Sequence, residues 1–224
     1  MIKLSKRLEA LSSLIPINSH LIDIGCDHGL LDIYLYQKGI SSHIIATDIN
    51  QSALNNACEN IKKYHLEDKI ITKLSNGLEN ITKEDELDTI VISGMGAHTI
   101  VGILKRYPQK LTNIKTIIIQ SNTKLPFLRK EITKLNYYIS DELIVEDNKK
   151  IYFIIKFEKG RKKYSQKELY FGPILLQKNS KLFQKYHHKN LEKLFIIQKL
   201  IPRNKIITRY KLKKEINLYK NISL

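Results

Sequence analysis

The fold is decided by the stretch LIDIGCDHGLLDIYL, residues 21–35. It predicts a buried strand, a turn from Gly25 to Gly29 and then a helix. Gly25 allows a tight turn and a close approach of the backbone to a ligand. Dinucleotide sites instead use G-x-G-x-x-G, and Asp27 in the middle of this turn would repel a pyrophosphate. The turn therefore favours a nucleoside cofactor with a positive group and no phosphate, or a plain helix cap by Asp27 and His28.

On both sides of this stretch, strand and helix patterns alternate up to residue 158. The predicted strands are residues 20–25, 43–48, 69–74, 88–94, 115–122, 137–147 and 150–158, and the predicted helices are residues 28–39, 51–64, 97–106 and 125–136. Alternating strands and helices indicate an α/β fold whose mostly parallel sheet is covered on both faces. The last two strands, joined at Asn148-Lys149, predict a closing antiparallel hairpin. This doubly wound, Rossmann-like layout is typical of class I methyltransferases.

The pattern becomes helical from about residue 160. A short segment ends at Gly172-Pro173, and apolar residues then recur at helical spacing from Leu175 to Ile201, where Pro202 ends the helix. Residues 205–221 predict a last helix, which could fold back as an antiparallel, coiled-coil-like hairpin. We therefore predict two domains, residues 1–158 and residues 159–224.

The charge follows the same division. The chain has a net charge of +16, of which residues 159–224 carry +15. Nucleic acid is the first candidate partner for such a segment; a membrane surface or compositional drift towards lysine are the alternatives. The basic outer faces of the predicted helices include Lys185, Lys189, Lys193 and Arg203.

Composition excludes several other classes of protein. No apolar run reaches the roughly 18 residues of a membrane span, and the N-terminus has no secretory signal pattern. The two cysteines, Cys26 and Cys58, point to the reducing cytosol and not to a disulfide framework. No cluster of His and Cys has zinc spacing, so we expect no metal.

Further candidate residues follow the other strands. Asp48 ends the second strand, where an acid can bind both hydroxyls of a ribose. The turn at Asn76-Gly77 follows the third strand and could face a nucleoside base. SGMGAH, residues 93–98, ends the fourth strand and IIIQSN, residues 117–122, ends the fifth. The Asn/Asp-Pro-Pro-aromatic tetrapeptide of enzymes that methylate amino groups is absent, which favours a ring nitrogen such as N1 of adenine.

Together these segments resemble the bacterial tRNA adenine-22 N1-methyltransferases. The resemblance rests on LSKRL (residues 4–8), DIGCDH (23–28), SNGL (75–78), ISGMGA (92–97), QSN (120–122) and LR (128–129). It covers almost the entire chain, including the helical segment. Asn76 replaces an Asp of the family, Asp48 stands where many members have Glu, and Cys26 and Ala97 replace Ser and Gly.

The resemblance implies methyl transfer from S-adenosyl-L-methionine to N1 of adenine 22 in the D-arm of tRNA. The catalytic candidates are Asp27, His28 and Asn122. The cofactor-binding candidates are Asp23, Gly25, Cys26, Asp48, Ile49, Asn76, Gly77, Gly94, Met95 and Gly96. The substrate-binding candidates are Arg7, Gln120, Arg129, Lys185, Lys189 and Lys193.

Three other functions remain open from the residues alone. They are a small-molecule methyltransferase, an RNA-binding protein on a degenerate methyltransferase fold, and a methyltransferase for another RNA site. We expect a cytoplasmic monomer.

Overall fold

The apolar runs of the sequence form one sheet. The computed structural model describes residues 2–202 and 204–222, so Arg203 lies outside the described residues. Within them, seven strands have the order β3-β2-β1-β4-β5-β7-β6, and β7 is antiparallel to both of its neighbours. The strands are β1 (His20–Ile24), β2 (His43–Asp48), β3 (Ile70–Leu74), β4 (Thr89–Met95), β5 (Thr116–Ser121), β6 (Tyr137–Asp147) and β7 (Lys150–Lys159). The predicted fold class is confirmed.

Helices cover both faces of the sheet and then continue beyond it. Those of the α/β part are α1 (Lys6–Ser12), α2 (Leu30–Gln37), α3 (Gln51–Lys63), α4 (Ala97–Arg106) and α5 (Leu125–Thr133). Those after the sheet are α6 (Gln166–Phe171), α7 (Pro173–Lys178), α8 (Lys181–Leu200) and α9 (Ile206–Lys220).

The central strands are apolar because both of their faces are buried. All six residues of β5 are buried, and successive side chains point to opposite faces. Ile117 and Ile119 join the core beneath α4 and α5, whereas Ile118 joins the core beneath α1, α2 and α3. This double burial explains the near-continuous isoleucine runs.

Two helical predictions need correction. The helix predicted from Leu175 to Ile201 is two helices, because Asn179 adopts a left-handed conformation (φ 41°) and ends α7. Ser180 then caps α8 by accepting a hydrogen bond from the backbone N–H of Phe183. Helix α1, which Ser5 caps in the same way, was not predicted.

The last four helices pack against the end of the sheet. Phe153 of β7 joins Phe171, Leu175, Phe183 and Tyr219 in a third apolar cluster. The helices α8 and α9 lie side by side, and the ring of His187 contacts the carbonyl oxygen of Tyr219 at 3.1 Å. The division at residues 158/159 and the coiled-coil geometry of this pair stay predictions.

A buried ion pair joins α5 to the closing hairpin. The Nε of Arg129 donates to Oε1 of Glu142 at 2.7 Å, and both side chains are at most 1% exposed. Arg129 also donates to the carbonyl oxygens of Leu169 and Tyr170, while Glu142 accepts from the backbone N–H of Ile174. Burial raises the pKa of Glu142, and the guanidinium opposes that shift. The pair thus attaches α6 and α7 to the sheet.

Removing only one member of this pair should be costly, because it leaves the other buried without a partner. We expect Arg129→Met to lower the free energy of unfolding by about 3–5 kcal/mol. The double variant with Glu142→Leu should lose clearly less, since no charge is then stranded. Denaturant unfolding followed by circular dichroism measures both, and a loss below about 1 kcal/mol for the single variant would contradict the role of the pair.

Candidate active site

The turn after β1 lies close against the neighbouring strands. The backbone N–H groups of Gly25 and Cys26 both donate to the carbonyl oxygen of Thr47, at 2.8 and 2.9 Å. Gly25 has φ 81°, and a Cβ there would collide with the methyl group of Met95. A side chain at position 25 would therefore need both a strained backbone and the space that Met95 fills.

A cavity of about 650 Å³ opens beside this turn, at the carboxyl ends of β1, β2 and β4. This edge is where open α/β sheets bind their ligands, at the point where strand order reverses. Nine of the predicted site residues line the cavity: Arg7, Asp23, Gly25, Cys26, Asp27, His28, Asp48, Gly94 and Met95.

Asp23 is the most unusual group of the cavity. Its side chain is 4% exposed, and its Oδ1 has no hydrogen-bond partner among the described residues. Burial and then the nearby Asp48 raise its pKa to about 7, while Arg7 opposes them. An unpartnered buried carboxylate needs a hydrogen-bond donor, and a cationic donor best offsets the cost of its burial.

Asp48 lies at the end of β2, beside the turn. Its Oδ1 accepts from the backbone N–H of Asn50 at 2.8 Å, and its Oδ2 contacts the N–H of Asp27 at 3.4 Å. The longer contact leaves Oδ2 able to accept from a ligand as well. The carboxylate is thus held at the cavity wall where a pair of hydroxyl groups could meet it.

The rim of the turn is exposed. The side chains of Asp27 and His28 are 71% and 53% exposed, and Nε2 of His28 lies 3.7 Å from Oδ1 of Asp27. Asp27 is held at φ 53°, a conformation that Asp tolerates better than most residues. Behind them, burial raises the pKa of the Cys26 thiol, and neighbouring acids add to that shift, so this cysteine is a packing residue and not a nucleophile.

Polar groups from α1, β4 and β5 form one network at the other side of the cavity. Nη1 of Arg7 donates to Oγ of Ser93 at 2.8 Å and to Oε1 of Gln120 at 2.7 Å. Nε2 of Gln120 donates to Oδ1 of Asn122 at 3.0 Å, and Nδ2 of Asn122 donates to the carbonyl oxygen of Gly94 at 2.7 Å. The network fixes Arg7 and the exposed Asn122 against the carboxyl ends of β4 and β5.

Two predicted substrate contacts need correction. Gln120 is fully buried, and its amide is occupied by Arg7, Gly94 and Asn122, so it positions other groups instead of meeting a substrate. Arg129 is buried in its ion pair with Glu142 and is not a surface contact for phosphate.

The other predicted residues lie outside the lining of this cavity. Ile49 is 66% exposed just after Asp48. Gly77 has φ 68°, and a Cβ there would lie 2.7 Å from the side chain of Ile103, which gives this glycine a packing role. Asn76 and Gly96 border the turns after β3 and β4, and Lys185, Lys189 and Lys193 are exposed on α8. Their functional roles stay predictions.

The N-terminal wall of the cavity was not predicted, apart from Arg7. Lys3, Leu4, Ser5 and Leu8 line it together with Arg7. The signal was present in the sequence, because leucines at positions 4, 8 and 11 follow helical spacing and Ser5 is a typical N-cap residue.

The strand order, the antiparallel β7 and this cavity define a class I methyltransferase. Among relatives, tRNA (adenine(22)-N(1))-methyltransferase of Bacillus subtilis is 30% identical over 197 residues, 85% of this chain and 82% of that protein. The family model described as tRNA (adenine(22)-N(1))-methyltransferase matches residues 21–221. The chain belongs to the tRNA (adenine(22)-N(1))-methyltransferase family.

Solved structures agree over the full length. TrmK of M. capricolum, in complex with S-adenosyl-homocysteine, superposes with a TM-score of 0.87 at 34% identity and covers 97% of this chain and 96% of its own. A protein of Streptococcus pneumoniae in complex with S-adenosyl-L-methionine has a TM-score of 0.91 at 31% identity, with coverage of 98% and 99%. The resemblance stated from the sequence is confirmed.

Two further observations concern the residues 2–202 and 204–222. No helix in these ranges is both long enough and apolar enough to cross a membrane. Nor do three or more His, Cys, Asp or Glu side chains gather there in a way that could hold a metal ion.

Asp23 should lower stability at neutral pH. Its pKa is raised on folding, so the folded protein disfavours the ionised form of Asp23. The part of the free energy of unfolding that depends on Asp23 is therefore fully present below about pH 4, where the group is protonated in both states, and is lost as the pH rises through about 7. Because Asn mimics the protonated acid, Asp23→Asn should gain less over the wild type at about pH 5 than at about pH 8, and the two should match only below about pH 4. At about pH 8 it should be more stable by roughly 1–4 kcal/mol, since one pKa unit corresponds to about 1.4 kcal/mol.

Denaturant unfolding of the protein without cofactor at both pH values measures this difference. Asp27→Asn is the matched control on the exposed turn, and it should not reproduce the pH dependence. An Asp23→Asn variant that is less stable than the wild type at both pH values would refute the assignment.

Proposed function

We propose that this chain transfers the methyl group of S-adenosyl-L-methionine to N1 of adenine 22 in tRNA, the reaction that gives its family its name. The observation that carries the proposal is the buried Asp23, whose Oδ1 has no partner in the part of the chain that the structure describes, in a cavity at the carboxyl ends of β1, β2 and β4. Dinucleotide chemistry is disfavoured because Asp23, Asp27 and Asp48 would surround a pyrophosphate with negative charge.

The residues of the cavity fit this cofactor. Asp23 would accept from the ammonium of its amino-acid part, and Asp48 would accept from both ribose hydroxyls. The backbone of the turn at Gly25, which lines the cavity, would lie close to the cofactor. We further propose that Ile49 packs on the adenine face and Asn76 meets its edge, with Gly77, Gly94, Met95 and Gly96 completing the site. When bound, the cofactor supplies an electrophilic methyl group on a sulfonium.

The reaction needs little proton transfer by the protein. The lone pair of N1 forms the new N–C bond while the S–C bond breaks, which leaves a neutral thioether and a cationic methyladenine. Orientation and exclusion of water are therefore the main tasks. We propose that Asn122 and Arg7 orient the base, and that Asp27, assisted by His28, stabilises its developing positive charge.

The base must leave its stack before N1 becomes accessible, because N1 lies on the Watson–Crick edge. We propose that the helices after the sheet hold the tRNA backbone during this step, with Lys185, Lys189 and Lys193 of α8 among the contacts. Such contacts supply affinity and little sequence information. We also propose that the protein acts as a monomer, without a metal, in the cytoplasm where tRNA is found.

Methyl transfer to two tRNA transcripts tests the reaction. One transcript carries adenine 22, and the other carries guanine there. With labelled cofactor, nuclease digestion and nucleoside mass spectrometry, we expect 1-methyladenosine from the first transcript only. Label in both transcripts, or in another nucleoside, would reject the adenine-22 assignment and favour another RNA site. Cofactor binding without transfer to either would favour a small molecule or rRNA as substrate.

The lysines of α8 predict a salt effect. Each phosphate contact contributes roughly 0.7–0.9 to the slope of log affinity against log salt. We expect the triple variant Lys185→Ala, Lys189→Ala, Lys193→Ala to flatten this slope by about 2 and to leave cofactor affinity unchanged.

The matched control for this effect replaces Lys62, Lys63 and Lys69, which are exposed at the opposite edge of the sheet. It should change the slope much less. Equal slopes for the two triple variants would show that the effect is one of net charge alone.

A further inference from the structure

A second cavity, of about 760 Å³, lies between the closing hairpin and the last helices. Its walls come from the segment after β5, from the start of β7, and from α6, α8 and α9. We refer to it as the interdomain groove. Its volume falls within the roughly 300–1,000 Å³ of small-ligand pockets, and none of the roles proposed above uses it as a site.

One wall of the groove is aromatic. Phe153 and Tyr186 meet edge to face, with ring centroids 4.9 Å apart. Phe153 is buried, whereas Tyr186 is only half-buried. The preceding residue of β7, Tyr152, points to the other face of the sheet, towards Arg7. Half-buried aromatic rings in a groove are typical surfaces for stacking an unpaired base.

The rim of the groove is basic. Lys124, Lys150 and Lys193 line it and are exposed. Of the residues that the structure describes, no Asp or Glu lines it. The groove therefore attracts an anion and gives it no acidic competitor.

Arg129 forms part of the floor of the groove. It is 1% exposed and is paired with Glu142, so it packs beneath the groove and is not a contact for a ligand.

The interdomain groove lies next to the candidate active site. Asn122 lines the groove and donates to the carbonyl oxygen of Gly94, which lines the first cavity. The guanidinium carbon of Arg7 lies 5.5 Å from the ring centre of Tyr152. The two cavities are thus neighbours, separated by these contacts.

We propose that the interdomain groove binds the nucleotide next to the methylated adenine. Its base would stack on the half-buried ring of Tyr186, which Phe153 supports from behind. Its phosphates would meet Lys124 and Lys150. Capture of this neighbour would hold the strand open while the target base lies at the active site. The inference rests on the proposed function, because it names the second contact of the same RNA.

Three tRNA transcripts test the groove: one intact, one without the base on the 5′ side of adenine 22, and one without the base on its 3′ side. For the wild type, one of the abasic transcripts should bind about tenfold more weakly. Tyr186→Leu keeps apolar volume but loses the aromatic face on which the base would stack. The variant should therefore bind the intact transcript about tenfold more weakly than the wild type does, and it should bind that abasic transcript as well as it binds the intact one. Tyr186→Phe, the matched control, should bind like the wild type.

The inference would be overturned if Tyr186→Leu and the missing base weakened binding additively for both abasic transcripts, or if Tyr186→Leu did not weaken binding at all. If Tyr186→Leu does not fold, Lys150→Ala decides the question. Each of the two phosphates that flank the neighbouring nucleotide is replaced in turn by a neutral methylphosphonate, and binding is measured with the wild type and with Lys150→Ala. At one of the two phosphates the losses from the protein change and the RNA change should not add, because both remove the same contact; additive losses at both phosphates would overturn the inference. A wild type that binds the RNA with this coupling but does not methylate it would reject the proposed function alone.

Discussion

The reversal of strand order at β1 is the constraint on which the rest of the structure depends. The chain builds outward from β1 to β2 and β3, and then returns to place β4 on the other side of β1. Parallel strands need such crossovers, and the turns after β1 and β4 consequently diverge. The cavity exists because of this divergence. Asp23 lies at the cavity, where its Oδ1 has no hydrogen-bond partner among the described residues. The raised pKa of Asp23 reflects the unfavourable burial of its ionised form in a site that is open to a ligand.

The closing hairpin has a second task, which is to carry the helical segment. Strands β6 and β7 extend the sheet with antiparallel pairs, and Glu142 of β6 then accepts from Arg129 and from the backbone at the start of α7. A charged pair at this point gains little over an apolar one in stability alone. The pair does fix the orientation of α6, because the planar guanidinium also donates to two carbonyl oxygens of that helix. The helices are thereby oriented relative to the active site.

The sequence predicted those features that depend on local patterns. The strands were found because burial on both faces demands apolar runs such as Ile117–Ile119. The break at Asn179 was missed because the apolar spacing continues across it, and only the left-handed backbone interrupts the helix. Gln120 and Arg129 were assigned to the substrate because polar side chains near a site suggest contact. Their hydrogen-bond partners, Arg7 and Glu142, come from other parts of the chain. No local sequence pattern therefore predicts that these polar side chains are buried.

Charge divides the molecule into two complementary regions. Next to the cavity, Asp32 is fully buried, and neither of its carboxyl oxygens has a partner among the described residues. Burial together with Asp23 raises the pKa of Asp32 well above the usual range, so its neutral form is favoured. The carboxylates that line the cavity, those of Asp27 and Asp48, repel phosphate and favour a cationic ligand. The helices after the sheet and the rim of the interdomain groove are basic and attract a polyanion. In the proposed reaction the methylated adenine gains positive charge, so the acidic region would favour the product base while the basic surface would hold the RNA backbone. The proposed function thus assigns chemistry and RNA binding to two regions of opposite charge.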